Sequence, residues 1–129
     1  MQGVHKHMAK ILIVDDSSAQ LYSMSKLMKS QGHEVVVAEN GEAAITTAKA
    51  EMPDLILMDV VMPGMSGFQA TRQLSRDSQT KDIPIIFVTS KDQETDRIWG
   101  MRQGGADYIT KPVNEKDLLQ AVNNSLAAA

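Results

Sequence analysis

Leu55-Ile56-Leu57-Met58-Asp59 is the stretch on which the fold turns. Four apolar residues run on without a polar break and end at a carboxylate. A strand with one wet face alternates apolar and polar side chains. An unbroken apolar run this short fits a parallel strand covered on both faces. Working outward, similar runs stand at Ile11-Leu12-Ile13-Val14, Val35-Val36-Val37-Ala38 and Ile85-Ile86-Phe87-Val88, with a shorter one at Tyr108-Ile109. The segments between them carry helical spacing. Leu21, Met24, Leu27 and Met28 form one apolar stripe, behind Ser17 or Ser18 as N-cap. Ala44, Ile45 and Ala48 form a second behind Asn40-Gly41, and Phe68, Thr71 and Leu74 a third. Ile98 and Met101 mark a fourth that ends at Gly104-Gly105; Leu118, Leu119, Val122 and Leu126 mark a fifth, capped by Asn114. Strand and helix alternating five times predict an α/β domain with right-handed crossovers.

Composition narrows the function. The chain of 129 residues is long enough to bury a core of its own, and with no cysteine it can hold neither disulfide nor thiolate metal site. The longest apolar runs fall far short of the ~20 residues that span a bilayer, and a cytoplasmic protein is expected. Net charge is −3 with mixed signs, and only five residues are aromatic, so a nucleic-acid surface is not expected. The nine methionines suit core filling and an adaptable binding face. Residues 1–7 are polar and patternless, and Met8 stands just before the first strand. They read as an appended leader or a disordered tail, with His5 and His7 as tail residues rather than metal ligands, and 8–129 as the domain.

In open α/β sheets, ligands bind beyond the carboxyl ends of the strands. Asp15 and Asp16 follow the first run, Asp59 the third, Thr89-Ser90 the fourth and Lys111-Pro112 the fifth. Each has a bland explanation alone. An Asp after a strand commonly makes a turn or caps a helix, Thr89 with Ser90 could cap the next helix, and Lys111 could be a solvated lysine. Together they fall on one rim, and clustered ionisable groups with conflicting demands are typical of functional sites. Three close carboxylates resist joint ionisation, and one ammonium does not neutralise them. A hard divalent ion such as Mg²⁺ does, using carboxylates, water and phosphate oxygens. Such a set suits phosphoryl transfer to a carboxylate nucleophile, giving an acyl phosphate.

Ile11 to Ser17, Asp54 to Gly67, Pro84 to Ser90 and Gly105 to Pro112 together resemble the receiver domains of chemotaxis-type response regulators. The likeness covers the chain from about Lys10 onward. It implies a flavodoxin-like, doubly wound, five-stranded parallel sheet of order 2-1-3-4-5 with five helices. It implies Asp59 as phosphoacceptor, Asp16 as direct Mg²⁺ ligand, Asp15 as ligand chiefly through water, and the Val61 carbonyl as a further ligand. Lys111 would pair with phosphoryl oxygens. Thr89 would turn its hydroxyl to the phosphoryl group, and Tyr108 would move inward into the space Thr89 vacates. Family receivers often have a cis bond at the Lys-Pro pair, so a cis Lys111-Pro112 bond is an expectation, and Gly67 is expected to permit a tight approach to the site. Val61 and Lys91 replace polar or acidic residues of some chemotaxis receivers beside the attacking water. Phe68 to Leu74 and Lys91 to Gly100 are similar to the stand-alone receivers of the chemosensory pathway for type IV pili and twitching motility.

Rival readings fit less well. Haloacid-dehalogenase-type phosphohydrolases place their nucleophile after the first strand with a second Asp two residues on, whereas Asp15 and Asp16 are adjacent. A nucleotide or flavin module needs a glycine-rich loop where Asp15-Asp16-Ser17-Ser18 stands. A pseudo-receiver would not need the complete acidic set. The receiver reading implies a phosphoacceptor that assists its own phosphorylation and dephosphorylation, not an enzyme of the usual kind. A histidine kinase would be the donor and another protein the output partner. Neither nucleic acid nor membrane is an expected partner. The expected output face is the fourth helix, fifth strand and fifth helix, including Lys91, Arg97, Met101, Tyr108 and Trp99. Trp99 is equally consistent with packing.

Overall fold

The computed structural model describes residues 8–128, so the reading of residues 1–7 lies outside the described residues. Ten elements alternate in chain order: β1 (Lys10–Val14), α1 (Ser18–Ser30), β2 (Glu34–Ala38), α2 (Gly41–Glu51), β3 (Leu55–Met58), α3 (Gly67–Arg76), β4 (Ile85–Thr89), α4 (Glu94–Gln103), β5 (Asp107–Thr110) and α5 (Glu115–Ala128). The strands form one parallel sheet of order β2-β1-β3-β4-β5, the flavodoxin-like order.

Side chains alternate across a strand, so a sheet with helices on both faces needs apolar residues at every position. Leu12, Val14, Ile56, Met58 and Phe87 face one core, with Ala44, Ala48, Ala70 and Leu74 of α2 and α3. Ile11, Ile13, Leu55, Leu57, Ile86 and Val88 face the other, with Leu21, Met24 and Met28 of α1 and Leu118 and Val122 of α5. β1, β3 and β4 thus match their unbroken runs. β2 does not: Val35 and Val36 are partly buried and Val37 is 48% exposed. It is an edge strand with a neighbour on one side only.

The helix starts carry the expected chemistry. Ser17 Oγ accepts from the Gln20 N–H, Asn40 Oδ1 from Ala43 and Asn114 Oδ1 from Asp117. Ser66 and Gln69 close a capping box on α3. α4 ends at Gly104, as the glycine pair predicted, with φ +120. Its apolar stripe needs correction, because Ile98 and Met101 are 45% and 39% exposed. The buried residue is Gly100, where a Cβ would stand 3.0 Å from Phe68 Cε1 and 3.1 Å from Phe87 Cε2. α4 docks by lacking a side chain at that point, so its larger apolar residues are left outside.

Candidate functional site

Register creates the site. Val14 is paired with Met58, so the next residues on each strand, Asp15 and Asp59, emerge side by side at the carboxyl edge. The Asp59 N–H donates to the Val14 carbonyl at 2.9 Å. Asp15, Asp16 and Asp59 each place a carboxylate oxygen within 4.8 Å of the others. Asp15 and Asp59 are buried and Asp16 is exposed at the rim. On the other side, Thr89 pairs with Thr110, and the Lys111 N–H donates to the Thr89 carbonyl at 2.8 Å. That delivers Lys111 Nζ to 2.9 Å from Asp15 Oδ2 and 3.7 Å from Asp59 Oδ2. The Lys111–Pro112 bond is cis.

The carboxylates are individually held. Asp15 Oδ1 accepts from the Ser17 N–H at 2.9 Å, so with Lys111 on Oδ2 both of its oxygens are engaged. Asp59 Oδ1 accepts from the Val60 N–H at 2.8 Å, which sets the carboxylate plane and turns Oδ2 towards the ammonium. Burial pushes the Asp59 carboxyl above its ordinary range, and the charge on Asp15 adds to it. Lys111 and the Val60 N–H pull it back, and Asp16 raises it again. Three carboxylates against one ammonium leave excess negative charge with only oxygen donors to offer, which suits a hard divalent cation.

Gly67 closes the loop behind Asp59. Its N–H donates to the Val60 carbonyl at 2.9 Å, and a Cβ there would run into the carbonyl oxygen of Asp59. The tight approach expected of Gly67 is therefore an approach of backbone to backbone. Val61, two residues beyond Asp59, is 54% exposed beside the site.

Thr89 and Tyr108 meet through a residue the sequence reading valued only for its side chain. The Lys91 N–H donates to Thr89 Oγ1 at 3.2 Å, and the Tyr108 hydroxyl donates to the Lys91 carbonyl at 2.7 Å. Tyr108 is 3% exposed, its ring centre 5.8 Å from that of Phe87. Burial pushes its phenol up to about 12; Asp96 and Asp92 act the same way and Arg97 opposes them. Thr89 caps no helix; at α4 it is Asp96 Oδ2 that accepts from the Gln93 N–H. The Asp15-to-Ser17 turn was legible as an Asp two residues before a Ser. The joint grip on Lys91 backbone was not, because it depends on the path of the β4–α4 loop.

A five-stranded 2-1-3-4-5 sheet with an acidic triad and a lysine at its carboxyl edge defines a class, and residues 11–123 match it: the chain belongs to the response regulator receiver domain family. Within the family it is 55% identical over 120 residues to protein PilH of Pseudomonas aeruginosa, covering 93% of this chain and 99% of that protein. It is 38% identical to response regulator PleD of Caulobacter vibrioides over 90% of this chain but only 26% of PleD. The chemotaxis protein CheY4 of Vibrio cholerae superposes with a TM-score of 0.86 at 32% identity, over 92% of this chain and 98% of that one. Among the described residues, no helix is long and apolar enough to cross a membrane.

Proposed function

We propose that residues 8–129 act as a stand-alone cytoplasmic receiver that accepts a phosphoryl group on Asp59 from a histidine kinase and signals to a partner protein in the control of type IV pilus motility. The observation that carries this is the buried Asp59 carboxylate, with Asp15 and Asp16 oxygens within 4.8 Å and the Lys111 ammonium 3.7 Å away. In the transfer, an Asp59 oxygen attacks the phosphorus of the donor's phosphohistidine. The O–P bond forms as the N–P bond breaks, and the imidazole nitrogen keeps the electron pair and takes up a proton from water. Asp15, Asp16, Asp59 and the Val61 carbonyl would hold Mg²⁺, which would supply positive charge for the phosphoryl oxygens when bound. With both its oxygens engaged, Asp15 suits contact through water better than direct ligation.

Lys111 holds the phosphoryl group from the opposite side, exchanging part of its contact with Asp15 for it. Thr89 turns its hydroxyl to a phosphoryl oxygen and loosens its hold on the Lys91 N–H. Lys91 and Tyr108 share a hydrogen bond, so the change reaches the face built from α4, β5 and α5. Ile98, Trp99 and Met101 are exposed on α4, and this supports a protein partner at that face. The likeness to PilH over nearly all of that protein's length supports both the stand-alone reading and the pilus pathway. The chain is then a phosphoacceptor that assists its own phosphorylation and dephosphorylation, not a turnover enzyme. Incubation with acetyl phosphate and Mg²⁺, followed by mass spectrometry, should place one phosphoryl group on Asp59 and none on Asp59→Asn. Uptake by Asp59→Asn at the parental rate would overturn the reading.

A further inference from the structure

Arg97 sits in the first turn of α4 and grips the backbone of Tyr108, the buried tyrosine of β5. Its Nη1 donates to the Tyr108 carbonyl at 3.1 Å, and its Cζ lies 6.0 Å from the centre of the Tyr108 ring. Its Nη2 is 3.9 Å from Asp107 Oδ1. At the far end of the ring the hydroxyl is held by the Lys91 carbonyl, and Lys91 in turn bonds to Thr89. Tyr108 is therefore held at its hydroxyl by the β4–α4 loop and at its backbone by α4. These contacts are not equal. The ion pair to Asp107 joins half-exposed side chains and contributes little. The ring lies at the outer limit of cation–π reach. The charged hydrogen bond to the carbonyl of an edge strand is the main contact. A planar guanidinium can make that bond and cover the ring together, whereas a lysine ammonium is a point donor.

We propose that Arg97 is a positioning residue that clamps Tyr108 in its buried setting and ties that setting to α4, so that the ring and the surface bearing Ile98, Trp99 and Met101 move as one unit. The signalling consequence rests on the phosphoacceptor reading; the clamp does not. The full chain is labelled with 3-fluorotyrosine, which reports two positions, Tyr22 and Tyr108, assigned with Tyr22→Phe. Tyr22, 68% exposed, is the internal control for broadening by a soluble paramagnetic agent. Arg97→Ala should raise the broadening of Tyr108 at least threefold with Tyr22 unchanged, and Arg97→Lys should recover protection only in part. Beryllofluoride with Mg²⁺ should restore Tyr108 protection in Arg97→Ala. Equal protection of Tyr108 in the parent and Arg97→Ala overturns the clamp, and full protection in Arg97→Lys overturns the role of the fork. Phosphoryl uptake on Asp59 is measured separately in each variant and should be unchanged. A chain that takes up none defeats the phosphoacceptor reading while the fluorine comparison in metal-free buffer still decides the clamp.

Discussion

Asp59 is a carboxylate placed where ionisation is opposed. Burial and the charge on Asp15 raise its pKa, and Lys111 only partly offsets them. The folded chain therefore holds the Asp59 proton more tightly than the unfolded chain does. As pH rises from the ordinary carboxylate value, about 3.9, through the raised one, stability falls, and the cost persists at neutral pH. Asp59→Asn removes that cost. In metal-free buffer the variant should be more stable than the parent at pH 7, and the advantage should disappear below about pH 4, where the parent carboxyl is protonated in both states. Paired urea denaturation at the two pH values reads the difference, and a variant less stable at pH 7 would contradict the environment assigned to Asp59. At this scale the sequence was informative about identity: Asp15, Asp16, Asp59, Thr89 and Lys111 all sit at the edge where strand order put them. It was silent on partners. That Lys111 bonds to Asp15 at 2.9 Å, across 96 residues, and stands further from Asp59, follows from the packed geometry of β1 and β5 around the site.

Two elements are shaped by what a glycine omits. Gly67 opens α3 directly behind the Asp59 carbonyl, where an added Cβ would collide with fixed backbone. No rotamer change relieves such a clash. Gly67→Ala should therefore cost about 3 kcal/mol, the upper end for overpacking, and displace the loop that carries Val61. Chemical denaturation measures the loss; a cost under about 1 kcal/mol would mean that the loop yields freely. α4 shows the opposite use of a missing side chain. Gly100 lets the helix settle on the rings of Phe68 and Phe87, and Ile98, Trp99 and Met101 are left exposed. Counting apolar residues at helical spacing picks out Ile98 and Met101 as the inward face, and here that count points outward. Trp99, which the sequence allowed as either a packing or a partner residue, is 47% exposed.

For the whole molecule, the proposed phosphoryl site and the α4–β5–α5 face communicate only if the bound group prefers one arrangement of the chain. Mg²⁺ bound only by the assembled rim stabilises the fold by RT ln(1 + [L]/Kd), about 1.4 kcal/mol at ten times its Kd. The melting temperature should rise accordingly, and Asp16→Ala should remove most of the rise. Indifference of the parent to millimolar Mg²⁺ would count against the metal site. Thr89→Ala should leave Asp59 able to accept a phosphoryl group while weakening the coupling between beryllofluoride and partner binding, typically ~1–3 kcal/mol. In the proposed mechanism the shared hold of Thr89 and Tyr108 on Lys91 backbone is the route for that coupling. Equal coupling with and without the Thr89 hydroxyl would send the signal by another path.

The pattern of the chain was enough to determine a parallel α/β sheet and the residues at its carboxyl edge. Burial on both faces is recorded locally, in unbroken runs such as Ile11 to Val14 and Leu55 to Met58, and the residue after a run needs no further information to be placed on the rim. Tertiary structure decided what those residues touch. The half-exposed edge of β2, the seat of α4 on Gly100, the Lys111 bond to Asp15 and the Arg97 hold on Tyr108 each join elements distant in sequence or set by a loop's path. Local spacing cannot encode such contacts, because strand register and helix docking bring the atoms within hydrogen-bonding distance only after the sheet has assembled.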